Sequence, residues 1–177
     1  MKISRVFRKR MMLLSMVIFT SAPGWASDSA ILTINGNVQA APCEVAADSL
    51  AQTVDLGKGK PINSYNLREP GAATPWIYFS VNLTKCPPNT RTAKITFNGP
   101  ADPAGVGDLY RNGGTAKNVA VQLQGSGGHP FGDGRSYTGL ISNNAIRYNL
   151  RARLFSKQGN VGVGSVNTLV TVTFIYQ

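Results

Sequence analysis

The chain has 177 residues, 42% of them hydrophobic and 15% charged, with 19 glycines and ten prolines. Eighteen Lys and Arg against eight Asp and Glu give a formal charge of +10, which invites a nucleic-acid reading. The first element removes that invitation. Met1 to Arg10 carries Lys2, Arg5, Arg8, Lys9 and Arg10, followed by the apolar run Met11 to Phe19 and then Gly24-Trp25-Ala26. This is the order of a secretory signal peptide, and it predicts cleavage after Ala26. The apolar core is about half the roughly 20 residues that a membrane span needs. Five of the 18 basic residues leave with the leader, so the charge falls from +10 to +5. A surface of that charge is compatible with solubility and does not by itself call for a nucleic-acid partner. Residues 27–177 are enough for one domain with a proper core.

Next in chain order comes a row of alternate residues, Ala30, Leu32, Ile34, Gly36 and Val38. Apart from Ile31, the positions between them are polar: Ser29, Thr33, Asn35 and Asn37. An apolar-faced strand at this place is unusual, because a terminal tail is ordinarily polar and unstructured. Asn35-Gly36 is also a hairpin signal, and the residues alone leave the turn and the strand readings level.

Cys43 and Cys86 are the two cysteines of the chain. An even count in an exported protein predicts one intramolecular disulfide. By loop-closure entropy, a bridge enclosing residues 43–86 is worth about 4 kcal/mol. No CxxC or HxxxH spacing is present to complete a zinc tetrahedron.

Between and beyond the cysteines, the pattern is one of short strands punctuated by Gly, Pro, Asn and Asp. Ile77, Phe79, Val81 and Leu83 alternate with Tyr78, Ser80, Asn82 and Thr84. Ile95 and Phe97 flank Thr96, and Val119, Val121 and Leu123 flank Ala120 and Gln122. The clearest run is Ala145 to Phe155. There Ile146, Tyr148, Leu150, Ala152 and Leu154 share one parity and Arg147, Asn149, Arg151 and Arg153 the other. Period-two alternation buries the first set and leaves the arginines on a solvated face. Three stretches, residues 57–69, 99–114 and 125–139, are predicted to be loops; the last holds six glycines and a proline, too many for a strand interior. The final run, Val170, Val172, Phe174 and Tyr176, reaches Gln177. Such a strand needs partners on both edges.

These residues resemble the subunits of type 1-like fimbriae assembled by the chaperone–usher route, and among them the minor, adaptor-type ones. The resemblance rests on Leu32-Thr33-Ile34-Asn35-Gly36-Asn37-Val38, Pro42-Cys43, Val54-Asp55-Leu56-Gly57, Lys85-Cys86-Pro87 and Phe97-Asn98-Gly99. It continues through Asn118 to Leu123, Arg151-Ala152-Arg153-Leu154, Gly164 and the penultimate Tyr176. It implies an all-β fold, an incomplete immunoglobulin-like β-sandwich lacking its final strand and completed by donor-strand exchange. Residues 1–26 would then be the leader, 27–40 the donor extension and 41–177 the pilin domain. Ala30, Leu32, Ile34, Gly36 and Val38 would be the donor row. Gly164, Val170, Val172, Phe174 and Tyr176 would form the C-terminal segment that chaperone and usher recognise. The implied partners are a periplasmic fimbrial chaperone, an outer-membrane usher and neighbouring fimbrial subunits, with export through the periplasm to a cell-surface fimbrium.

No enzymatic centre is expected, and no cofactor, metal, nucleic acid or small-molecule substrate. His129 lacks a GxSxG nucleophile elbow to serve. Gly125-Ser126-Gly127-Gly128 lacks the GK[ST] ending of a phosphate loop. The acids have no EF-hand spacing. The function expected is a structural fimbrial subunit supporting cell adhesion. The alternative is a single-domain carbohydrate-binding adhesin, for which Arg147, Arg151 and Arg153 would be the candidate anion or glycan patch.

Overall fold

The structure is a computed structural model describing Asn35 and residues 42–177. Residues 42–177 belong to one compact unit, Asn37–Gln177. The predicted leader 1–26 and the row Ala30, Leu32, Ile34, Gly36 and Val38 lie outside the described residues.

Among the described residues eight strands form two sheets. One has five strands, in the order β1 (Glu44–Val45), β2 (Ile77–Thr84), β7 (Ile146–Phe155), β5 (Ala120–Gly125) and β4 (Leu109–Arg111). The other has three, β6 (Ser136–Leu140), β3 (Thr92–Asn98) and β8 (Thr171–Tyr176). All pairings are antiparallel. Along β7 the two parities separate as expected: Tyr148, Leu150, Ala152 and Leu154 are buried, and Arg147 and Asn149 are exposed. The inner rows meet in one core, with Leu83, Ile95, Phe97 and Leu150 almost wholly enclosed. Two phenols enter that core because each finds an acceptor. Tyr148 Oη donates to Ala93 O at 2.7 Å and Tyr110 Oη to Phe131 O at 2.9 Å.

The chain passes from β6 in one sheet to β7 in the other at Asn143-Asn144. Both residues have positive φ, 51° and 59°, and Ser142 and Ala145 exchange backbone hydrogen bonds across them. Asparagine tolerates this left-handed pair, which makes the tight primed turn. The corner is tied to the disulfide region, because Asn144 Nδ2 donates to Cys86 O at 2.7 Å.

Two predicted loops contain strands. Residues 99–114 include β4, three residues long, and β6 begins inside residues 125–139. β6 lacks the alternation signal because Gly139 stands opposite buried Ala93, where an apolar residue would complete the pattern. A Cβ there would crowd Ile146 Cδ1 and lie in van der Waals contact with Tyr148. Packing chose glycine and erased the signal. Residues 57–69 hold a one-turn 3-10 helix, Ser64–Leu67, capped by the Asn63 side chain, with Leu67 buried.

Candidate functional site

Cys43 and Cys86 are bonded, with Cα atoms 4.1 Å apart. The geometry follows from the strands: Cys43 precedes β1, Cys86 follows β2, and the register pairs Glu44 with Thr84. The bridge thus fixes the point where the chain enters the sandwich.

From there the chain runs along a large open groove. Residues 49–57 border it, as do residues 161–172, and the groove encloses about 1170 Å³. Its floor is core: Phe79, Val81, Val121, Leu123, Leu150 and Leu154. The turn at one border is held by Asp55, whose carboxylate accepts from Gly57 N at 2.8 Å and Gly59 N at 2.6 Å. These bonds, Gly59 first, lower its pKa below the ordinary carboxylate value.

The C-terminal residues lie at the other border. β8 is an edge strand, paired with β3 and with no second strand among the described residues. Its apolar row, Val172, Phe174 and Tyr176, is only half-buried, whereas the equivalent rows of β3 and β7 are closed over. Leu50, Val163 and Leu169 at the groove's borders are 70–87% exposed. Interior residues ordinarily pack to crystal-like density, so a sandwich with this opening lacks a layer of side chains. Burial raises the pKa of Tyr176, and desolvation raises that of Tyr148 further, helped by Tyr176 and Tyr137.

Gly164 and Val170 fall outside β8, with Val170 immediately before it. Their segment is pegged to residues 112–118: Ala116 N donates to Ser165 O at 3.0 Å and Gly113 N to Asn167 O at 2.8 Å. Gly164 has a φ of 153°, and a Cβ there would strike Thr115 and Ala116. Glycine is needed for that close approach.

Two arginines depart from the solvated face expected for them. Arg147 is exposed, but Arg151 and Arg153 are half-buried, and both lie against Trp76. Alternation tells which face they occupy and nothing about what covers it. His129 is exposed and meets Phe131 edge-on, with ring centroids 5.0 Å apart.

A two-sheet antiparallel sandwich with one edge strand facing an open, apolar-floored groove is an incomplete immunoglobulin-like fold. Comparison with known proteins agrees. The fimbrial protein family matches residues 32–177. Protein FimG of Escherichia coli (strain K12) is 32% identical over 166 residues, 93% of this chain and 94% of that one. The S-fimbrial adhesin protein SfaS of Escherichia coli O6:K15:H31 is 32% identical over 147 residues, 82% and 83% of the two chains. A chaperone-usher pilus structure shares the fold, with a TM-score of 0.64 at 22% identity over 88% of this chain and all of that one. The chain belongs to the fimbrial protein family. It is a structural subunit of a pilus, part of a cell-surface fimbria in which its neighbours are other fimbrial subunits.

Proposed function

We propose that the groove is an acceptor site, filled in the assembled fimbria by the apolar row of another subunit's N-terminal extension. This chain's own extension, residues 27–40 with Ala30, Leu32, Ile34, Gly36 and Val38, does the same for a neighbour. The half-buried row of β8 beside the groove carries this reading. An added strand would satisfy the free edge with backbone hydrogen bonds and close the core with alternate side chains, a general mode of β-strand addition. Leu32, Ile34 and Val38 would each contribute about 1.5–3 kcal/mol on full burial. Each net backbone hydrogen bond would add about 0.5–1.5 kcal/mol. Ordering the free extension costs about 1–2 kcal/mol per residue in the opposite direction. Exposed core at the empty acceptor tips the balance toward the exchanged state.

In this reading residues 1–26 direct export and are removed, and residues 41–177 are the pilin domain. In the periplasm a chaperone strand fills the groove and contacts the Val170 to Tyr176 segment; at the outer-membrane usher an incoming extension replaces it. The role is structural, without catalysis. Deleting residues 28–39 tests the donor half. The shortened chain should still be recovered with its chaperone and still accept a strand, but should never appear as donor to another subunit. Undiminished polymerisation by this variant would rule the reading out.

A further inference from the structure

One border of the groove has no strand to hold it. Residues 161–169, which lead toward β8, form neither strand nor helix and line the groove. Val161 and Val166 pack against the core, while Val163 and Leu169 stand 87% and 79% exposed. In a sheet, ladder bonds would set the course of such a strap. Here much of that task falls to side chains of residues 112–118.

Half-buried Asn112 is the hub. Its Oδ1 accepts from Gly114 N at 2.8 Å and from Asn167 N at 2.9 Å. Its Nδ2 donates to Ala116 O at 3.0 Å and to Ser165 O at 3.2 Å. Two of these bonds shape its own loop and two reach the strap, so both donors and both acceptor sites of the amide are used. Thr115 and Ser165 add a reciprocal pair: Thr115 N donates to Ser165 Oγ at 3.1 Å, and Ser165 N to Thr115 Oγ1 at 2.9 Å. A Cβ on Gly114 would collide with Ser165 O, so glycine permits the close approach of the two segments. The stitching bonds are unrepeated and mostly exposed, which is the pattern of a segment that opens locally. Losing the one amide would undo both halves of the join.

We propose that Asn112 is a positioning residue for strand capture, a role that rests on the acceptor reading of the groove. It holds the strap 161–169 in the course that leaves the groove ready before a donor arrives. A strap released from Asn112 samples more conformations, of which only a fraction are ready, and capture weakens by that fraction. Once a donor is seated, its own backbone bonds and apolar side chains hold the border. The completed subunit therefore depends on Asn112 less than capture does, as expected of a preorganising contact.

The test follows uptake of a synthetic peptide of residues 27–40 by the full mature chain purified with its periplasmic chaperone. N112A should slow uptake at least tenfold. N112D should do the same, because it keeps both acceptor bonds but turns a carboxylate on Ala116 O and Ser165 O. S165A removes only the hydroxyl bonds and should slow uptake about threefold. N144A is the comparison: it cuts the tie to Cys86 O, away from the groove. It should lower the urea midpoint of the peptide-completed subunit yet leave uptake within about twofold of wild type. Wild-type or faster uptake by N112A would overturn the inference. So would slowing by N112A and N144A alike, in step with lost stability. Where N112A is not recovered with the chaperone, unchanged uptake by S165A would overturn it. A wild-type chain that takes up no peptide would instead defeat the acceptor reading itself.

Discussion

Cys43 and Cys86 clamp the first strand to the second. Replacing both with alanine should lower the stability of the strand-completed subunit by about 4 kcal/mol, the loop entropy the bridge removes from the unfolded chain. Urea denaturation of wild type and variant measures it directly. Two tyrosines make a second residue-scale prediction. Burial raises the pKa of Tyr110 and Tyr148 well above 10, and Asp133 adds to the effect at Tyr110. Unfolded, both would titrate near 10. The unfolded state therefore loses protons first as pH climbs, and stability, full below pH 10, is lost above it. Ultraviolet titration should show two of the six tyrosines ionising only as the fold opens. The pair of cysteines is plain in the sequence, and so is the inward parity of Tyr148. The stacking of Arg151 and Arg153 on Trp76 is not, because it joins residues far apart in the chain through the register of β2 and β7.

At the scale of elements, alternation finds the strands whose inner rows are fully apolar, β2, β3, β5 and β7. It misses β4, three residues long, and β6, where Gly139 stands in for a side chain. Gly139→Val should restore the alternation on paper and damage the protein, costing about 1–3 kcal/mol by overpacking against Ile146 and Tyr148. A lowered urea midpoint with unchanged slope is the expected signature. For β8 the sequence shows an apolar row but cannot show that the row is half-covered; that depends on which edge of the sheet it occupies. Phe174→Asp places a charge on the inner row of β8, beside Tyr148 and Tyr176. It should abolish capture of a donor strand in a native-gel assay. Gly36→Val should slow addition to a neighbour while sparing acceptance, since it changes only the donated strand.

The whole molecule is an incomplete sandwich, and under the proposed strand exchange another polypeptide completes its core. Five strands on one side face three on the other, and the shortfall is the groove beside β8. The strand pattern makes an all-β sandwich or barrel readable from the residues, and the family resemblance narrows it to the immunoglobulin-like class, whereas the opening itself is a tertiary fact. Under the proposed exchange the opening also gives a use to the apolar row Ala30, Leu32, Ile34, Gly36 and Val38. The most direct measurement is refolding of the purified mature chain, alone and with a synthetic peptide of residues 27–40. The account predicts slow, association-prone refolding alone, and a stable, protease-resistant one-to-one complex when the peptide is added. Reversible refolding of the chain alone into a stable monomer indifferent to the peptide would contradict it.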